Sequence, residues 1–417
     1  MSAEQAKQAP NGAELKAAQS DFVEITDGKA RILVPKSNRT KRGPGKTDAP
    51  VFYNPAMEQN RDISVLVFQS LVSSHGRHVG ALDGLAASGI RGIRFCKEVG
   101  GGSGGFSVTI NDWSKGAFAL IRKNIERNCI AGRAEASNRD LNALLCERSF
   151  DYIDIDPFGT PVEFVDNALR SVRHKGIIGI TATDTATLCG AGAKACIRRY
   201  GAKPLHCEFM HEIGLRVLAG HIVRTAAKYD RAALPILCYA EGHYMRCYFE
   251  IKDGAQKADA LLKKVGFAHY CRKCGRRLME VGSGMSEVGS TLPTPYFPHH
   301  TSKNGECNCG ARMEFAGPLW AGALFDGAFL EKLATPREIA EKKDVAKLVS
   351  IWRKEAEAPP LYYTTGEIAR LFHVEPPAIE DAVSALNENG FFACRTHFDP
   401  TGFKTDASFG AIKDIVN

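Results

Sequence analysis

The sequence predicts an α/β protein with a doubly wound, mostly parallel sheet and one antiparallel hairpin strand. Three observations carry that expectation. Strand and helix patterns alternate from Val51 onward, as successive βα units do. Two apolar runs, Pro235–Tyr239 and His243–Ile251, flank a turn at Gly242 and read as a closing hairpin. Asp83, Asp112 and Asp140 stand at three successive strand–helix junctions, where open α/β sheets bind their ligands.

Taken in order, strands are expected at His78–Leu85, Phe106–Asn111 and near Ala134–Ser137. The helices between them run over Ser88–Val99 and Lys115–Cys129, and the next begins at Asp140. The apolar stretch Phe150–Ile153 opens the fourth strand, a helix follows from Val162, and Gly176–Ala182 is the next strand. A long helix over about Glu208–Lys228 precedes the hairpin, its polar residues (His211, Arg216, His221, Arg224, Lys228) expected to form a solvated face. His211-Glu212-Ile213-Gly214-Leu215 lacks the second histidine of a metalloprotease helix.

At 417 residues the chain has room for two or three cores. With 44% apolar and 24% charged residues it reads as an ordinary soluble globular protein, and as a monomer. No run reaches the roughly 20 apolar residues of a membrane span. The N-terminus has no apolar signal-peptide core, so a cytoplasmic location is expected. Lys plus Arg exceeds Asp plus Glu by 54 − 47 = 7, a balance that suits a polyanionic partner. Most of the thirteen cysteines are scattered singly through apolar segments and read as reduced core residues.

The run Asp154-Ile155-Asp156-Pro157-Phe158-Gly159-Thr160-Pro161 carries the most chemistry. Its acid can accept from an exocyclic NH2 on a planar base, and Pro157 keeps a carbonyl to accept a second N–H. Phe158 offers a face for the base to stack on. A lone strand-end aspartate is more often a helix cap, but Asp-Pro-Phe-Gly after an apolar strand points to methylation of a base amine. A donor site fits the three junction acids. Asp83 leads into the small-residue turn Gly84–Gly92, Asp112 can accept from both ribose hydroxyls, and Asp140 caps its helix or accepts from an adenine amine. No phosphate-cradling Gly-x-x-x-x-Gly-Lys-Ser/Thr is present. The adenosine ligand that remains is S-adenosyl-L-methionine, whose sulfonium tolerates carboxylate and aromatic neighbours.

Four modules follow: an N-terminal basic extension (1–50), a donor-binding catalytic domain (51–257), a Cys-rich zinc-ribbon-like segment (258–334) and a winged-helix-like C-terminal region (335–417). The extension holds an Ala/Gln/Lys-rich start and the Gly/Pro-broken basic stretch Lys36–Lys46. In the third, Cys271-x-x-Cys274 and Cys307-x-Cys309 flank a Gly/Ser/Pro-rich loop containing His299 and His300. A structural zinc would stabilise a segment with so little core, and reduced thiols in a metal-free loop are the alternative. In the fourth, helices at Thr365–Phe372 and Pro376–Asn387 and a strand at Gly390–His397 suit either nucleic-acid binding or a structural module. Lys404 and the Lys36–Lys46 stretch are candidates for phosphate contact.

Taken together, several strings resemble the Trm1 family, the tRNA (guanine26-N2)-dimethyltransferases. They are Phe52–Met57, Asn60-Arg61-Asp62, Asp83–Arg91, Asp154–Pro161, Thr181–Ala186, Ala316–Trp320, Thr396-His397-Phe398 and Lys404-Thr405. The resemblance implies that Arg61, Arg91, Asp112, Asp140 and Leu141 contact S-adenosyl-L-methionine, with Asp83 shaping the loop. It implies that Asp156 is the catalytic acid and that Phe52 and Phe158 hold a flipped guanine between their rings. The expected reaction adds one or two methyl groups to N2 of guanine in tRNA, at position 26. Two other readings stand beside it: a non-enzymatic zinc-ribbon/winged-helix nucleic-acid-binding protein, and an amino-methyltransferase acting on DNA or protein glutamine. Phe158, where that last chemistry uses a second proline, tells against it.

Overall fold

A computed structural model describes residues 21–36, 51–281, 306–333 and 342–416. Its centre is a seven-stranded sheet made of β3 (Val79–Asp83), β4 (Phe106–Asn111), β5 (Ala134–Ser137), β6 (Phe150–Ile155), β7 (Val172–Ala182), β8 (Arg231–Glu241) and β9 (Tyr244–Asp253). The spatial order is β5-β4-β3-β6-β7-β9-β8. Strands β5 to β7 run parallel, β9 pairs antiparallel with β7, and β8 closes the hairpin on β9. Strand order reverses beside β3, which places a switch point at the carboxyl ends of β3, β4 and β6. Helices α2 (Ile90–Glu98), α3 (Lys115–Arg127), α4 (Leu141–Glu147) and α5 (Val162–Ser171) are the crossovers. The doubly wound expectation holds, with element ends shifted by a few residues.

The small residues after β3 are there for packing. Gly92, in the first turn of α2, lies so close to β4 that an added Cβ would sit 2.7 Å from the Ile110 side chain. Its backbone N–H donates to the Asp83 carboxylate at 2.9 Å, so the helix start and the strand tip are fastened together.

Three parts of the body depart from the expectation. First, the N-terminal segment is more than an extension. β1 (Phe22–Asp27) and β2 (Ala30–Pro35) form a hairpin, and Asn124 of α3 both accepts from Leu33 N–H (2.8 Å) and donates to Leu33 C=O (3.2 Å). Asp27, at the hairpin's tip, is buried between Arg61 and Arg94. Residues 37–46 of the basic stretch lie outside the described residues. Second, helix α1 (Glu58–Ser74) is buried nearly all round and so shows little 3.6-residue periodicity. Third, the polar face expected on the long helix α8 (Met210–Ala227) is not solvated. α6 (Thr185–Leu188), α9 (Ala255–Leu262), β8 and β12 (Glu314–Trp320) pack around it, and Glu212 and Arg216 are buried. α7 (Ala193–Tyr200) precedes it.

Strands β10 (Val265–Tyr270) and β11 (Arg277–Val281) join β12 in an antiparallel sheet of order β11-β10-β12. The 257/258 boundary falls inside α9. The chain after β12 also returns to the main sheet, with Cys238 N–H donating to Leu324 C=O at 2.9 Å, so this segment is fused to the catalytic body. After α10 (Gly327–Lys332), the C-terminal region runs α11 (Lys343–Glu355), β13 (Tyr363–Thr364), α12 (Thr365–Phe372), α13 (Ile379–Glu388), β14 (Ala393–Arg395), β15 (Gly402–Thr405) and α14 (Phe409–Val416).

Lys404 belongs to this junction and not to a nucleic-acid surface. Only 2% exposed, its ammonium lies 3.0 Å from Glu212 of α8 and 3.7 Å from Glu355 of α11. Burial alone would raise the Glu212 pKa, but the Lys404 and Arg216 charges and the backbone N–H of Leu361 outweigh it and hold the group at about 2. An exposed lysine could reach phosphate, whereas this one compensates a buried carboxylate. Lys404→Met is therefore expected to lower stability by about 3 kcal/mol or more in a denaturant melt, because it leaves Glu212 buried with one partner fewer. An unchanged unfolding midpoint with weakened RNA binding would instead return Lys404 to phosphate contact.

Candidate functional site

At the carboxyl ends of β3, β4 and β6 the chain forms a cleft of about 390 Å3. The loop after β3 supplies Asp83, Leu85, Ala86, Ala87 and Ser88, and α2 adds Ile90 and Arg91. Asp112 and Trp113 follow β4, and Asp156, Pro157 and Phe158 follow β6. Phe52, Tyr53, Asn54 and Arg61 form the opposite wall, and His243 enters from the β8–β9 turn.

One half of this cleft is an acceptor-rich polar wall. Asp83 is buried, and burial, aided by the nearby Asp154 and Asp156 charges and opposed by Arg91, raises its pKa from 3.8 to about 7. Asp112 accepts one backbone N–H on each oxygen, from Ala87 and Ser114, both at 2.9 Å. Each oxygen keeps a free lone pair for a ligand diol. Two donors here lack partners among the described residues: the buried Arg61 Nε and the buried Ser88 Oγ make no hydrogen bond. Buried polar groups are seldom left so. Two acids and two orphaned donors on one wall fit a polar ligand of the S-adenosyl-L-methionine type, with hydroxyls, an ammonium and a carboxylate.

The other half is built around Asp156. Its carboxylate pairs with Arg91 Nη2, the one polar partner it has among the described residues. Arg91 is heavily committed: Nε lies 3.2 Å from Asp154, and Nη1 donates to Asn60 (2.8 Å) and to Ser64. Asp154 is fully buried and also paired with Arg246. Burial pushes its pKa up, and the two guanidiniums outweigh that and hold it below the usual carboxylate range. The loop beyond is clamped from β7. Gly159 sits at φ +85°, where glycine is favoured, and its N–H donates to Thr183 Oγ1 at 2.7 Å while its C=O accepts from Thr183 N–H at 2.9 Å. Asp154 thus sets the base of the motif and Asp156 faces the cleft.

The expected site residues do not all meet there. Arg61, Asp83, Arg91, Asp112, Asp156, Pro157, Phe158 and Phe52 line the cleft, whereas Asp140 and Leu141 do not. Asp140 caps α4, accepting from Ala143 N–H at 2.9 Å, and Leu141 is buried under Gly84. Arg91 lines the cleft but spends its nitrogens on Asp154 and Asp156, which makes it a holder of the acid before it is a ligand contact. Phe52 and Phe158 do not stand apart as a sandwich. Their centroids are 4.6 Å apart at an interplanar angle of 79°, an edge-to-face contact with no space for a base between them.

Sequence reasoning passed over Trp113, Ser88, Tyr53 and His243 on these walls. Trp113 could have been found as an aromatic directly after a strand-tip acid, and it is 75% exposed. His243 had no local signal, because the β8–β9 turn brings it across the sheet. Burial lowers its pKa against an opposing pull from Asp156. A wider groove of about 880 Å3 also borders that turn, but none of the strand-tip acids lines it.

Away from the cleft, the four cysteines meet as expected. Cys271, Cys274, Cys307 and Cys309 place their sulfurs within 4.8 Å of one another. Cys271–Cys309 and Cys274–Cys307 are each 3.5 Å apart, close to the roughly 3.8 Å edge of a tetrahedron with 2.3 Å zinc–sulfur bonds. Two matching turns supply them: Gly275 N–H donates to Cys271 C=O and Gly310 N–H to Cys307 C=O, both at 2.8 Å. The Cys-x-Cys half is the same knuckle one residue shorter. The four thiols fit a structural zinc. His299 and His300 lie outside the described residues.

Comparison with known proteins agrees with this geometry. The model of the family described as "TRM: N2,N2-dimethylguanosine tRNA methyltransferase" matches residues 28–417. The tRNA (guanine(26)-N(2))-dimethyltransferase of Pyrococcus horikoshii is 39% identical over 408 residues, covering 93% of this chain and 96% of that protein. The enzyme of the same name from Thermococcus kodakarensis is also 39% identical, over 95% of this chain and 99% of its own. Among solved structures, Trm1 from Pyrococcus horikoshii in complex with S-adenosyl-L-methionine superposes with a TM-score of 0.78 at 37% identity, covering 94% of this chain and 99% of that one. A strand-tip cleft built around Asp156, together with similarity along nearly the whole chain, leads to one conclusion: the chain belongs to the N2,N2-dimethylguanosine tRNA methyltransferase family.

Proposed function

We infer that this protein is an S-adenosyl-L-methionine-dependent tRNA methyltransferase that methylates the exocyclic N2 of guanine 26. The observation that carries this is Asp156, held by Arg91 and opening onto the same cleft as Asp83 and Asp112. A non-enzymatic nucleic-acid-binding role has no use for that pairing, and family membership over residues 28–417 removes the DNA and protein-glutamine alternatives.

When bound, the donor supplies an electrophilic methyl on a sulfonium. The Asp83, Ser88, Arg61 and Asp112 wall would hold it, with Asp112 on the ribose. Guanine N2 is a poor nucleophile because its lone pair is delocalised into the ring. Asp156 and the Pro157 carbonyl would accept its two N–H bonds and favour a pyramidal nitrogen. Phe158 and Phe52 would part to stack the flipped base. Positioning then supplies most of the rate, and the proton leaves to Asp156 or to water. After one methylation a single N–H remains, and a second cycle needs the monomethylated amine to rotate so that one of the two acceptors can take it.

The protein is taken to act as a monomer. Thirteen free cysteines suit a reducing cytoplasm, and no described helix is long and apolar enough to cross a membrane. The α11-β13-α12-α13-β14-β15 order supports reading this module as winged-helix-like. However, the helix that would enter a groove, α13, exposes Glu380, Asp381 and Glu388. Those carboxylates would repel phosphate, so a structural role for this module is favoured over RNA reading.

Asp156→Asn should lower kcat by about 100-fold or more while S-adenosyl-L-methionine still binds. The assay is labelled donor with unmodified tRNA, followed by nucleoside mass spectrometry. Wild-type protein that makes no N2-methylguanosine would overturn the function, and a fully active Asp156→Asn would remove the residue's role. A pH dependence follows from Asp83. Its pKa is raised, so the carboxyl becomes neutral as pH falls through about 7, and attraction for a cationic donor is lost in that direction. Calorimetric Kd values for S-adenosyl-L-methionine should weaken from pH 8 to pH 6, and Asp83→Asn should flatten the trend. A pH-independent wild-type Kd would contradict it.

A further inference from the structure

Residues 185–207 contain four Lys or Arg and not one Asp or Glu. This segment follows directly from Thr183 and Asp184, which brace the catalytic loop, and helix α7 is its central element.

The two faces of α7 differ in kind. One is bonded to the Asp-Pro-Phe-Gly loop. The Tyr200 hydroxyl, on a buried ring, donates to Asp184 at 2.7 Å and accepts from Thr160 Oγ1 at 3.0 Å, and Arg199 pairs with Asp184 at 3.1 Å. The other face exposes Lys194, Ile197 and Arg198, with Ile197 50% exposed. Neither Lys194 nor Arg198 has a carboxylate partner among the described residues. Elsewhere on the sheet domain several exposed arginines are spent, Arg77 and Arg173 on Asp151, Arg139 on Glu147, and Arg148 on Glu135, whereas Arg122, Arg133 and Arg170 have no carboxylate partner among the described residues. What sets Lys194 and Arg198 apart is their place: they are unspent cations on the helix that Tyr200 and Thr160 bond to the catalytic loop. An apolar residue between them suits a ribose or base edge beside the phosphates.

We propose that the exposed face of α7 docks the phosphate backbone of the tRNA and, through Tyr200 and Thr160, sets the target guanine in register with Asp156. This rests on the function inferred above and adds the surface by which the substrate is held. Phosphate contacts position a nucleic acid without reading its sequence, which is what a helix bonded to the catalytic loop can do.

The test is the double variant Lys194→Gln/Arg198→Gln, compared with the control Arg139→Gln/Arg148→Gln, which removes the same charge elsewhere. In steady-state methyl transfer the α7 variant should raise the KM for tRNA roughly tenfold. Its kcat and its Kd for S-adenosyl-L-methionine should stay at wild-type values. The slope of log affinity against log salt should fall by about 1 to 2, as for two lost phosphate contacts. The control should leave the KM for tRNA in place. A wild-type KM and salt slope in the α7 variant would overturn the proposal, as would an equal loss in the control. If wild-type protein methylates no tRNA, the inferred function fails instead, which keeps the two failures apart.

Discussion

The ion cluster at the end of β6 is the constraint on which the site depends. Asp154 is fully buried and sits between Arg91 and Arg246, with Tyr152 donating to it at 2.9 Å. A buried carboxylate with two guanidiniums costs little only while the set is complete, and removing one partner leaves a bare charge in a low dielectric. The cluster therefore locks together elements distant in sequence. Arg91 comes from α2, Arg246 from β9, and Asn60 and Ser64 from α1. Arg246 reaches Thr181 on β7 at 2.8 Å. Asp156, two residues on, takes its place from this cluster through Arg91.

The same arrangement separates the tasks of the acids in the cleft. Asp154 has two cations beside it and is held ionised as a structural anchor. Asp83 has a backbone donor and a more distant share of Arg91, so burial prevails and its pKa climbs to about 7. Asp112 is half-shielded by two backbone N–H groups and keeps acceptor capacity for a ligand. Asp156 has one cation and an open side. Three aspartates that line the cleft and one buried beneath it thus take four roles, set by what stands next to each.

Much of this was legible in the sequence because it is local. The βα alternation, the Gly242 hairpin, the strand-tip acids and the cysteine knuckles are patterns within a dozen residues, and the structure contains each of them. What was not legible depends on contacts far apart in the chain. α1 and α8 are buried on nearly all sides, so their buried charges read as a solvated face or gave no period at all. Lys404 looked like a phosphate contact until Glu212, 192 residues away, was seen beside it. Asp140 offered two uses, a helix cap and an adenine contact, and the structure shows the cap. The Phe52–Phe158 pair joins residues distant in sequence, and its edge-to-face geometry has no local signal.

The central claim is that Arg91 acts by holding Asp156 and Asp154 and not by binding the donor. Arg91→Lys keeps the charge but cannot bridge both carboxylates with a planar fork. The direct measurement is the kcat of that variant beside its Kd for S-adenosyl-L-methionine, on protein whose circular dichroism matches wild type. The account predicts kcat down by about 100-fold and Kd within about threefold of wild type. A Kd weakened by about tenfold or more, with kcat at saturating donor unchanged, would contradict it and place Arg91 on the donor instead.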